Sequence, residues 1–190
     1  MKEIYLAGGC YWGVEKYLSN IKGVMETTVG FANGNTHHPT YQQVRYENTG
    51  HAETVKVRYD ETQVPLPTLL KLFYRIIDPV SVDKQGEDEG HQYRTGVYFT
   101  DAADEVVIAT SLAELEAKVG EKLAVEACPL EHFYDAEEYH QKYLDKNPNG
   151  YCHVPLAEML WVKGIDPLTY TEDYYEPNKS TPCSDYRNRL

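Results

Sequence analysis

The residues that could do chemistry in this sequence begin with Cys10, set in Gly8-Gly9-Cys10-Tyr11-Trp12-Gly13. It lies where an alternating segment (residues 2–7) gives way to helical spacing. A thiol at a helix N-terminus meets the positive end of the dipole and unpaired N–H groups, which is expected to favour the nucleophilic thiolate. Flanking glycines let a reactant approach closely. Tyr11 and Trp12 would offer an apolar wall suited to a methyl or thioether group.

Glu53 opens the run Glu-Thr-Val-Lys-Val-Arg-Tyr at 53–59. It shares the parity of Val55, Val57 and Tyr59, so its carboxyl is expected on the apolar face, desolvated and hard to ionise. An enzyme makes a general acid usable near neutral pH in this way. Tyr41 and Tyr93 fall in two long loops, where their hydroxyls could donate to a substrate oxygen. Asp88 sits in the acidic stretch Glu87-Asp88-Glu89, which reads equally well as a solvated loop. His51 is the best partner for a Cys–His pair, although tying the loop to the strand through a backbone hydrogen bond explains it as well. Cys152 lies in Asn147-Pro148-Asn149-Gly150-Tyr151-Cys152-His153, a turn-rich, mobile segment that could bring a second thiol to an oxidised partner. Cys183 follows in a polar tail, and Cys128 ends an expected strand and reads as buried and inert.

The elements that must position these residues follow from periodicity. Residues 2–7 read as a strand and 11–20 as a helix carrying Val14, Tyr17 and Leu18, with Gly23 beyond it. A strand is expected at 24–31 and a short helix at 41–46. The period-2 strand at 53–59 precedes a helix from Pro67 that carries Leu69, Leu70, Phe73, Ile76 and Ile77. A polar loop (81–91) leads to a strand near 95–100. Strand–helix–strand occurs twice, the split β-α-β pattern of a ferredoxin-like α+β fold. A helix (102–119), one extra strand (123–127) and an acidic helix (135–145) embellish it. Residues 1–155 read as one catalytic domain, and 156–190 as an irregular tail that wraps or extends from it.

The whole chain narrows the choices. It has 190 residues, enough to bury a core without staples, and a formal charge of -12, with no basic excess to neutralise phosphates, so no nucleic-acid partner is expected. No apolar run suggests a membrane span, and the start is too short and polar for a signal peptide, so the expectation is a cytoplasmic monomer. The four cysteines are scattered and do not read as a disulfide framework. Cys152-His153 is the only adjacent Cys/His pair, and neighbours on an extended segment face opposite ways, so no metal site is expected.

Four stretches together resemble the A-type peptide methionine sulfoxide reductases: Gly9-Cys10-Tyr11-Trp12-Gly13, Gly50-His51-Ala52-Glu53, Gly86 to Arg94, and Asn147 to Cys152. The resemblance runs from about residue 2 to 155. It implies reduction of the S epimer of methionine sulfoxide, free or in proteins, for repair after oxidative stress, without a bound cofactor and with thioredoxin or another dithiol as external reductant. Carried over, Cys10 is the nucleophile, Glu53 the acid, Tyr41 and Tyr93 its helpers at the oxygen, and Tyr11 and Trp12 the methyl pocket. Asp88 orients the site and Cys152 resolves. Tyr11 stands where the family usually has Phe, and Cys183 lies too far along to match the usual second resolving position, leaving it a candidate second recycling thiol. Two other readings of the residues remain: a hydrolase or acyl transferase using Cys10 and His51, and a peroxide-oxidised thiol sensor.

Overall fold

A computed structural model describes residues 1–172. The chain order is β1 (Lys2–Gly8), α1 (Tyr11–Leu18), β2 (Val24–Ala32), α2 (Tyr41–Tyr46), β3 (Ala52–Tyr59), α3 (Leu66–Tyr74), β4 (Lys84–Gln85), β5 (Asp88–Glu89), β6 (Thr95–Phe99), α4 (Asp104–Val119), β7 (Glu126–Pro129), β8 (Phe133–Asp135), α5 (Tyr143–Lys146) and α6 (Leu156–Lys163). The main sheet runs β7-β6-β1-β3-β2-β8. Its inner four strands are antiparallel throughout, which is the expected split β-α-β core. Leu6 pairs with Val55 on one side and Val97 on the other, so the apolar parity of all three strands falls on one face. The helices cover that face: Val14, Tyr17 and Leu18 of α1 and Leu69, Leu70 and Phe73 of α3 are buried with Ile4, Leu6, Val55 and Val57.

The structure departs from the expected elements in four places. Two strands rather than one extend the sheet: β7 lies parallel to β6, and β8 lies antiparallel along the free edge of β2. The acidic helix at 135–145 does not form. Phe133–Asp135 pairs with β2 instead, a 3-10 turn takes Glu138–His140, and Lys142 adopts a left-handed φ of 54° before α5 starts. Helix α3 stops at Tyr74, and Ile76 and Ile77 fill the core from the turn that follows. The stretch after Pro155 is not irregular throughout, because Leu156–Lys163 forms α6 and buries Met159 and Val162. Cys128 lies within β7 and is half-buried, where its sulfur faces the Asn33 amide at 3.6 Å. Cys183 lies outside the described residues.

Candidate active site

Cys10 caps α1, directly after the turn that leaves β1. The turn depends on Gly9, whose φ is +85° and where a Cβ would fall 2.7 Å from the Gln85 side chain. Gln85 is itself buried and clamped to both the N–H and the carbonyl of Asp78. The loop that reads as polar in sequence thus closes over the Cys10 turn through a short β4–β5 hairpin.

Glu53 comes from the adjacent side of the sheet. Its side chain is 2% exposed and its Oε2 accepts from the Tyr11 N–H at 3.1 Å. Strand parity therefore predicts its placement correctly. Burial pushes its carboxyl up to about 8, against the pull of that N–H. Cys10 departs from expectation. Its thiol is raised well above the ordinary value, first by burial and then by the Glu53 and Asp88 carboxyls, and the Trp12 N–H offsets this only in part. Loss of hydration outweighs the dipole of a two-turn helix. At neutral pH the resting site is a thiol beside a protonated carboxyl.

Tyr41 and Tyr93 approach the same pair. The capping box of Thr40 and Gln43 fixes the start of α2, and the Tyr41 N–H donates to Glu137 Oε1 at 2.9 Å. The Tyr41 hydroxyl accepts from Arg45 Nη1 at 3.1 Å, which leaves its own proton to be donated elsewhere. Tyr93 ends the 3-10 turn before β6. Burial raises both phenols, and the charges of Glu53 and Cys10 add to the rise, so each stays a hydrogen-bond donor. Asp88 reaches the site from β5. Burial raises its carboxyl, and the Tyr151 hydroxyl and Cys10 N–H oppose the rise.

The aromatic wall is larger than the sequence suggests. Tyr11 is buried against Phe31 and His140, with ring centroids 5.9 and 5.5 Å away. Trp12 stacks on Tyr143 at 3.7 Å and donates Nε1–H to His140 Nδ1 at 3.1 Å. His140, 1% exposed, also packs against Tyr41 at 4.5 Å. His140 and Tyr143 carry no sequence signal, because the segment holding them reads as an acidic helix.

His51 is used elsewhere. Its Nε2 bonds the Thr36 carbonyl at 2.8 Å, and its ring packs beside His132 and Tyr134. It ties the long loop to β3, the structural role that competes with catalysis. Cys152 and His153 do not face opposite ways. A Cβ on Gly13 would meet Cys152 Sγ at 3.0 Å and His153 Nδ1 at 3.3 Å, so both side chains face the first turn of α1. Among the described residues, no three His, Cys, Asp or Glu side chains converge to hold a metal.

The family described as peptide methionine sulfoxide reductase matches residues 2–163. The chain is 60% identical over 153 residues to "Peptide methionine sulfoxide reductase MsrA" of Lachnoclostridium phytofermentans, covering 80% of this chain and 92% of that protein. The chain belongs to the peptide methionine sulfoxide reductase family. Within it, the chain is an A-type enzyme that reduces methionine S-sulfoxide at the expense of thiols. Reduced Mxr1 of Saccharomyces cerevisiae superposes with a TM-score of 0.74 at 41% identity, covering 80% of this chain and 88% of that one. Mxr1 in complex with Trx2 superposes with a TM-score of 0.53 at 31% identity, covering 75% and 84%. The fold is therefore shared with Mxr1 over most of both chains.

Proposed function

We propose that Cys10 attacks the sulfur of methionine S-sulfoxide while Glu53 gives its proton to the sulfoxide oxygen. Sulfoxide sulfur becomes electrophilic when its oxygen is protonated or strongly hydrogen-bonded, so nucleophile and acid must converge on one S–O group. The observation that carries the reading is Glu53, buried, held protonated near neutral pH and bonded to the N–H next to the nucleophile. Tyr41 and Tyr93 donate to the oxygen, and the methyl group lies against Tyr11 and Trp12. Asp88 orients the Cys10 turn. The oxygen passes to Cys10 as a sulfenic acid, methionine leaves, and the thiol proton returns to Glu53. Cys152 then attacks the sulfenic sulfur, forming the Cys10–Cys152 disulfide and releasing water.

A thioredoxin dithiol would exchange with that disulfide and restore both thiols, as the Trx2 complex of the yeast relative suggests. We further propose that residues 1–155 form the catalytic domain, acting as a monomer in the cytoplasm on free or protein-bound substrate. The free thiol of Cys10 fits a reducing compartment. No helix among the described residues is long and apolar enough to cross a membrane. One turnover with methionine S-sulfoxide, without reductant, tests the scheme. Release of one methionine and loss of two hydrogens mapped to a Cys10–Cys152 peptide supports it. Unchanged protein mass with no methionine formed overturns it.

A further inference from the structure

We propose that His153 is a positioning residue for the resolving step, clipping the segment that carries Cys152 onto the turn that carries Cys10. The inference rests on Cys152 being the resolving thiol. Its basis is a buried imidazole that the reduction step does not use. The His153 side chain is 6% exposed, and Nε2 lies 3.1 Å from the Gly8 carbonyl oxygen. A carbonyl only accepts, so Nε2 carries the proton and Nδ1 is a bare acceptor. Burial holds this imidazole down at about 4, so it is neutral wherever the thiols are active.

One ring therefore touches both sides of the nucleophile. Gly8 ends β1, two residues before Cys10. A Cβ on Gly9 would meet His153 Nε2 at 3.2 Å, and one on Gly13, inside the first turn of α1, would meet Nδ1 at 3.3 Å. The preceding residue's Sγ lies against that same turn. Nδ1 has no hydrogen-bond partner and faces Asp88 Oδ2, also unpartnered, at 3.9 Å. The polar end of the clip thus points at the carboxyl that borders Cys10. Cys10 and Cys152 are far apart in sequence, and an untethered thiol would have to search for its partner. With the imidazole bonded to Gly8, that ordering is completed on folding, and the effective concentration of Cys152 at Cys10 is set in advance.

Rapid mixing of the full-length protein with methionine S-sulfoxide, without reductant, tests the clip. It compares wild type, His153→Gln, His153→Leu and Cys152→Ser, following methionine release and the Cys10 sulfenic acid trapped by dimedone. Gln keeps an N–H donor for Gly8, whereas Leu fills similar space without one. The expected result is an unchanged first-turnover rate in both His153 variants. The sulfenic acid should persist about tenfold longer in His153→Leu, the size expected of one buried hydrogen bond, and near wild-type times in His153→Gln. Disulfide formation at the wild-type rate in His153→Leu overturns the clip. Parallel loss of the first turnover, or no rescue by Gln, also overturns it by assigning His153 to general packing. Cys152→Ser separates the two ideas: wild-type sulfenic acid lifetime in that variant removes the resolving role of Cys152 itself, whatever the His153 variants do.

Discussion

Burial holds the proton on Glu53, and burial followed by the Glu53 and Asp88 carboxyls holds the one on Cys10; for Glu53 this has a cost that can be measured. In the folded protein Glu53 stays protonated up to about pH 8, whereas its ordinary value is 4.5. Its folded value is thus raised. Between these values the unfolded chain sheds a proton that the folded chain keeps, so stability falls as pH rises, by up to about 1.4 kcal/mol per pH unit. Above pH 8 the loss is complete and levels off. Glu53→Gln removes the titration and can still accept from the Tyr11 N–H. Thermal melts of this variant should gain on wild type from pH 5 to about pH 8 and keep a constant lead above it. Its turnover of methionine S-sulfoxide should fall by about 100-fold or more, a loss the thiol-sensor reading does not predict. An equal pH response in both proteins would place the raised proton affinity elsewhere. The position of Glu53 was legible because strand parity is a local property. The protonation of Cys10 was not, because it depends first on burial, which segments distant in sequence impose, and then on the Glu53 and Asp88 carboxyls.

Among the elements, the segment from His140 to α5 is held by a residue that the sequence reading passed over. Glu15, on α1 and 2% exposed, accepts from the Thr27 hydroxyl at 3.1 Å and from the Lys142 N–H at 2.9 Å, with Lys142 Nζ 3.2 Å from its other oxygen. This tie fixes Lys142 in its left-handed conformation and so aims His140 and Tyr143 at Trp12. Glu15→Ala should lower unfolding stability by about 2–4 kcal/mol, read from the denaturant midpoint, because it strands a backbone donor and a partly buried ammonium. It should also raise KM more than it lowers the single-turnover rate, since the aromatic wall loosens while Cys10 and Glu53 keep their contacts. An unchanged midpoint would show that β8 and α5 hold themselves in place. The four central strands, α1, α3 and α4 were legible because each buries a repeating face, whereas the short α2 buries only Val44. Residues 135–145 were misread because that segment is ordered by long-range ties to Glu15 and β2, and composition alone gave it a helical look.

At the scale of the whole molecule, distant segments meet at one place: β1 leads into the Cys10 turn, and the segment after α5 sets Cys152 against α1. Cys183 lies beyond the described residues, and its part in recycling can be tested apart from the rest. With Cys152 as the resolving thiol, Cys183→Ser should keep full thioredoxin-driven turnover, whereas Cys152→Ser should release about one methionine per enzyme and stop. Sustained turnover in Cys152→Ser, lost in the double variant, would move the role to Cys183. The catalytic motifs were legible at this scale because their order along the chain matches the family; the path that joins them in space had to come from the sheet. The chain carries two indoles. Trp12 lies face to face with Tyr143, and Trp161 on α6 lies 3.7 Å beneath the Arg75 guanidinium. Replacing Trp161 by Phe would leave Trp12 as the only indole fluorophore, so any change at Trp12 on adding methionine S-sulfoxide could be followed by emission alone, with no label attached and in the same mixing experiment that times the chemistry.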